Sequence, residues 1–177
     1  NAGYYTLCVP FNMPASTIGT AYKLGAITKH VSGEEGGINI NLTKVDNIEA
    51  GVPYLIEPNI TVDELLVENV IIENTTGSDY TVTGAGVKVT FTGIINGVGE
   101  QTNGSTEYYV GDNGYLYNGT VDKLGLRAFF TITDEDGNIH EADIIWGASE
   151  KRELEDDEME LVVVATRFSD GNQLKVK

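Results

Sequence analysis

One cysteine and two histidines in 177 residues leave little material for several kinds of chemistry. A lone Cys8 cannot close an internal disulfide or build a thiolate cage for zinc. It reads instead as a small buried hydrophobe. His30 and His140 are far apart and give no His-x-x-x-His zinc spacing. No apolar run approaches the roughly 20 residues of a membrane-spanning helix. Basic side chains are scarce, 11 against 27 acidic ones, so the formal charge is 11 − 27 = −16. That balance argues against nucleic acid and against anionic membranes, whose phosphates attract Lys and Arg. No Gly-x-Ser-x-Gly elbow, Walker loop or dinucleotide-binding strand–loop–helix unit occurs. Nor does the chain open on a basic and apolar leader. From Asn1 onward, the expectation is that any export signal has been removed or never existed.

What is present points to a folded β protein. The length suits one domain, or one domain with a small appendage. Apolar residues make up 41% of the chain and charged ones only 21%, which argues against global disorder. Glycine is frequent, 21 of 177 or about 12%, against an average near 7%. The glycines sit in short polar clusters such as Asn96-Gly97, Asp112-Asn113-Gly114 and Asp136-Gly137-Asn138. Asn-Gly and Asp-Gly pairs tolerate the positive φ that tight hairpins need. Between the clusters lie short runs of Val, Ile, Thr, Tyr and Phe. Short strands and regular turns of this kind describe an all-β antiparallel sandwich, jelly-roll or immunoglobulin-like, with little helix.

Individual strands can be read from their alternation. Val87, Val89 and Phe91 share one face, and Lys88, Thr90 and Thr92 the other, so residues 87–92 cover a core on one side. Residues 126–132 place Leu126, Ala128, Phe130 and Ile132 together. Arg127, Phe129 and Thr131 make the opposite face mixed, which suits a more central strand. Residues 139–146 read as its hairpin partner across a turn at 134–138. Residues 4–11 are apolar on both faces and read as a central strand that ends at Pro10. Gly51 and Pro53 fix the entry to a strand at 54–56. Residues 161–165 are apolar on both faces and should be buried or paired. Thr61-Val62-Asp63-Glu64 matches a helix capping box, after which 68–73 looks like strand. Residues 150–160 hold seven acids and two bases. Good helix formers fill 148–159, yet Asp156 and Asp157 favour an exposed loop or link. The expected organisation is a β-sandwich domain over 1–147, with 148–177 as an acidic junction and C-terminal strands closing the same domain.

Three segments carry a family resemblance. Tyr4-Tyr5-Thr6-Leu7-Cys8-Val9-Pro10-Phe11 is similar to a "TLCLPF" strand, and Ala50-Gly51-Val52-Pro53-Tyr54-Leu55-Ile56 to an "aGxPYLI" segment. Tyr108-Tyr109-Val110-Gly111 through Tyr115-Leu116-Tyr117, followed by Leu126-Arg127-Ala128-Phe129-Phe130, is similar to a "Yxlgxngxly … fRAYF" ending. Together, over roughly residues 3–133, they resemble a β-sandwich domain of Bacteroidetes-type secreted and cell-surface proteins. The resemblance implies an extracellular or cell-surface location within a larger multi-domain chain. It brings no catalytic residues. The segment beyond Trp146 departs from the pattern.

The acids were weighed for chemistry. A glycosidase needs two carboxylates flanking a cleft, but Glu34-Glu35, Asp134-Glu135-Asp136 and Asp156-Asp157-Glu158 all sit in polar, turn-like stretches. Asp134-x-Asp136-Gly137-Asn138 superficially resembles a calcium loop. In an EF-hand, however, Gly stands at the sixth position and Glu at the twelfth, where this chain has Ile139 and Ile145. A hairpin turn explains the run better. An irregular calcium site, built from Asp112 and Asn113 or from Asp134 and Asp136, is the one cofactor left open, and no other metal site is expected. Glycan binding is the sharper hypothesis, because sugar sites pair an aromatic face with Asn or Asp hydrogen-bond partners. Tyr115, Tyr117 and Trp146 flank turns that carry Asp112 and Asn113, and these five are the candidate ligand-binding residues. Arg127, alone among apolar neighbours, reads as one half of a structural ion pair.

The expectation is therefore a non-catalytic exported module of a bacterial surface protein with a display or adhesion role. A carbohydrate-binding module is the alternative, and a glycoside hydrolase the more distant third. Expected partners are a glycan or a host or surface protein, with neither nucleic acid nor membrane insertion.

Overall fold

The computed structural model describes residues 3–32, 35–59, 66–97, 99–101, 107–111, 116–118, 121–134, 144–155 and 158–167. The chain is all-β and antiparallel, and among the described residues it has one short 3-10 turn, at Ala15–Thr17. In order, the strands are β1 Tyr5–Leu7, β2 Met13–Pro14, β3 Gly19–Ser32, β4 Glu35–Val45, β5 Asn47–Ile48, β6 Tyr54–Pro58, β7 Asp79–Gly84 and β8 Val87–Ile94. Then follow β9 Gly99–Gln101, β10 Glu107–Val110, β11 Leu116–Asn118, β12 Val121–Lys123, β13 Arg127–Asp134, β14 Ile144–Glu155 and β15 Glu158–Arg167.

A six-stranded sheet runs β1-β6-β3-β4-β15-β14, and a five-stranded sheet runs β11-β10-β13-β8-β7. The smaller sheet is thus inserted in sequence between the two halves of the larger one. Two-stranded ladders, β2 with β5 and β9 with β12, complete the set. One hydrophobic cluster draws on both large sheets, joining Leu24, Ile40 and Leu42 to Val89, Phe91 and Phe130. Phe91 and Phe130 face each other across the β8–β13 ladder with ring centroids 4.1 Å apart. A second cluster around Leu7, Ile18, Ile48, Tyr54 and Ile56 fills the space by β1 and β6.

The alternation at 87–92 appears as expected, with Val87, Val89 and Phe91 buried. The β7–β8 hairpin turns through Ala85 and Gly86, both at positive φ (53° and 80°), as a two-residue type I′ turn requires. Strand β13 does lie centrally, between β10 and β8. Residues 161–165 are paired, since β15 lies between β4 and β14.

Several expectations are corrected. Residues 4–11 do not form a central strand. Only β1 is regular, and it is the edge of its sheet. Both of its faces are nevertheless covered: Leu7 joins the second cluster, while Thr6 bonds to Ala128 of β13. Residues 139–143 lie outside the described residues, and residues 144–146 are not the hairpin partner of 126–132, because β14 pairs with β15 in the other sheet. Residues 148–155 are neither helix nor link but part of β14. Pairing with β15 satisfies this backbone whatever its helix propensity, and the charge-rich sequence of β14 stands at the edge of its sheet, where charge discourages further pairing. Residues 68–73 have no regular structure, and Ile71 and Ile72 are exposed. Leu126 is not in the core. It lies at φ 60° just ahead of β13 and is exposed. The capping box at 61–64 lies outside the described residues. Among those described, no helix is long and apolar enough to cross a membrane.

Candidate functional site

Strand alternation decides what β10 and β13 present. Tyr108 and Phe130 pair across the ladder and are buried in the core. The next residues on each strand, Tyr109 and Phe129, therefore lie on the opposite, outer face. Both line a small cleft of about 170 Å³. Thr6 and Ala128 lie at its buried end, and Leu124 and Arg127 at its exposed end. A drug-sized site usually encloses roughly 300–1,000 Å³, so this cleft admits one small group rather than an extended molecule.

Two cations stand at the cleft. Lys123, at the end of β12, sits over the Phe129 ring with Nζ 4.4 Å from the centroid. The same Nζ donates to Glu107 Oε1 at 3.0 Å, in a pair whose side chains are only 15% and 21% exposed. Arg127 behaves differently from the ion pair expected of it. Its guanidinium lies 5.6 Å from the Tyr5 ring centroid, and Nη1 donates to Leu126 O at 3.4 Å. Among the described residues it meets no carboxylate within salt-bridge distance. Burial pushes the Tyr5 phenol above its usual range, and the Arg127 charge works against that rise.

The backbone beside the cleft is strained where Arg127 begins. Leu126 occupies the left-handed region, which costs roughly 1–2 kcal/mol for a residue other than Gly or Asn. Its N–H donates to Ile95 O at 3.2 Å, and its carbonyl accepts from Cys8 N–H at 3.3 Å. That reversal starts β13 with Arg127 facing outward. Such strain persists only where the surroundings hold it.

Cys8 is fully buried, and its thiol is pushed up to about 11 by desolvation, which a backbone hydrogen bond with Ser78 only partly offsets. A thiol so protonated is a poor nucleophile at neutral pH, which agrees with a packing role. Burial also pushes Tyr108 well above the usual phenol range.

A second, much shallower groove of about 720 Å³ runs along the β2–β5 ladder, lined by Asn12, Asn47, Glu49 and Glu73 among others. It is wide open, and its described lining includes no Lys or Arg.

Of the sequence candidates, Asp112, Asn113, Tyr115 and Asp136 lie outside the described residues. Tyr117 lies on β11, and its backbone pairs with Tyr109. Trp146 lies on β14 in the other sheet, paired with Ala165, and β11 lies against β14. Asp134 is the last residue of β13, opposite Val87. Among the described residues, no group of three or more His, Cys, Asp or Glu side chains comes together as a metal site. Sequence reasoning passed over Lys123 and Phe129. Phe129 was visible on the polar face of β13, but Lys123 reaches it only through the β9–β12 ladder, which has no local signature.

Comparison with protein-family models, with curated proteins and with solved structures finds no match.

Proposed function

We propose that the chain is a non-catalytic β-sandwich adhesion module of an exported bacterial surface protein, and that it holds a glycan at the outer face of its five-stranded sheet. The observation carrying this reading is the cleft lined by two outer-face aromatic side chains, Tyr109 and Phe129, together with the exposed Arg127. Aromatic side chains offer an apolar surface to a sugar ring, and adjacent polar groups fix its orientation. Further support comes from the outer face beyond the cleft. There Thr131, Thr90 and Thr81 stand opposite one another on β13, β8 and β7, and the Thr81 and Thr90 hydroxyls are 2.9 Å apart. Hydrolysis would call for two carboxylates across the cleft, whereas its described charged lining is cationic.

A broad glycan array tests the reading, run with calcium and again with EDTA. Saturable binding to one glycan class, lost in Tyr109→Ala, is the expected result. A silent array would remove glycan capture and leave adhesion to a protein surface. Loss of binding with EDTA alone would bring Asp134 and Asp136 into the site.

A further inference from the structure

The cleft's charge is opposite to that of the chain. The whole protein carries −16, yet among the described residues the charged side chains lining the cleft are Lys123 and Arg127, and with Glu107, which pairs with Lys123, they give +1 + 1 − 1 = +1. Lys123 is already engaged with Glu107 and Phe129. Among the described residues Arg127 is engaged only with an aromatic ring and a neighbouring carbonyl, and it is exposed, so much of its five-donor fork is open to a ligand. Stacking on Tyr5 restricts the guanidinium, so less side-chain freedom is lost when a ligand binds.

Resting on the glycan reading above, we infer that the cleft selects a sugar bearing a carboxylate, a uronic or sialic acid at a chain end, with Arg127 binding the carboxylate and Tyr109 packing on the ring. Arginine matches a carboxylate bidentately, and such charge-assisted bonds are about twice as strong as neutral ones. The small volume favours a single terminal residue over an internal stretch of polymer. The net-negative surface elsewhere repels acidic ligands, so binding is confined to this place and depends on ionic strength.

Calorimetric titration of the full chain with methyl glucuronide, N-acetylneuraminic acid and neutral methyl glucoside tests this. Both acids should bind, and the neutral glycoside should bind at least about tenfold more weakly. Arg127→Gln should weaken the acids by about ten- to a hundredfold, and the neutral sugar by less than about threefold. Arg127→Lys should recover part of that loss, and raising salt from roughly 0.05 to 0.5 M should weaken the acids alone. Because Arg127 is exposed, the variants should melt with the parent chain. Equal binding of acidic and neutral sugars, indifferent to Arg127→Gln, would overturn the acidic class while keeping glycan capture. Acetate or an acidic peptide binding as tightly as the uronide would overturn the sugar. No binding of any sugar would overturn both readings.

Discussion

The Thr6 hydroxyl lies 2.8 Å from the carbonyl oxygen of Ala128 and 3.0 Å from its amide nitrogen, donating to the first and accepting from the second. One side chain thus satisfies both backbone groups of a residue 122 positions away, where β10 has stopped pairing with β13. Beside it, Cys8 N–H reaches Leu126 O. Together these bonds tie the edge of the six-stranded sheet to the start of β13, directly behind the cleft.

Replacing Thr6 by Val keeps the shape and removes both bonds, leaving the Ala128 amide and carbonyl unsatisfied. Thr6→Val should therefore cost about 2–4 kcal/mol, and Thr6→Ser less than about 1 kcal/mol. Urea unfolding midpoints separate them. Equal losses would mean that the methyl group, not the hydroxyl, ties the sheets together.

Cys8 and Gly93 form a second close contact at the same corner. A Cβ built on Gly93 would run into Cys8 Sγ and lie 3.1 Å from Cys8 Cβ. Gly93→Ala should cost about 1–3 kcal/mol through overpacking. In a Cys8→Ala background the cost should shrink, and a double-mutant cycle reads the coupling. Purely additive effects would place the strain elsewhere.

Stability should fall at alkaline pH. The unfolded thiol of Cys8 ionises near 9.0 and the folded one near 11. Between those values the unfolded chain loses a proton that the folded chain keeps, so stability is full below pH 9 and declines up to pH 11. The amount is about 3 kcal/mol. Tyr5, Tyr54 and Tyr108 are raised in the same sense by burial and steepen the decline above pH 10. Denaturant unfolding at several pH values should show a shallower slope between pH 9 and 11 for Cys8→Ala.

Ala85 sits at φ 53° in a turn that Asn-Gly fills most readily. It is exposed, so Ala85→Asn should raise stability by about 0.5–1 kcal/mol without touching the core. An unchanged or lower melting temperature would contradict the turn assignment.

How much of this was legible depended on whether the signal was local. The alternation of Val87, Val89 and Phe91 reports one strand with one covered face, and such a pattern needs no partner to be read. The strand at Tyr54–Pro58 likewise announced itself through Gly51 and Pro53. Residues 4–11 misled because apolar character on both faces suits either a central strand or an edge strand that touches a strand of a second sheet, as β1 touches β13. The acidic run after Trp146 misled because its propensity is helical, while the pairing of β15 with β4 that draws it into the sheet lies over a hundred residues away in sequence. For the site, aromatic residues near turns were visible, yet the association of Lys123 with Phe129 and Glu107, and of Arg127 with Tyr5, arises only once strands from distant segments meet.

The central claim is that the outer-face cleft is the binding surface. Its most direct test is amide chemical-shift mapping of the nitrogen-15-labelled chain during titration with methyl glucuronide. Saturable shifts centred on Thr6, Tyr109, Lys123, Arg127 and Phe129 are expected, and they should vanish in Tyr109→Ala. Shifts confined to the groove at Asn12, Asn47 and Glu49, or no shifts at saturating sugar, would contradict it.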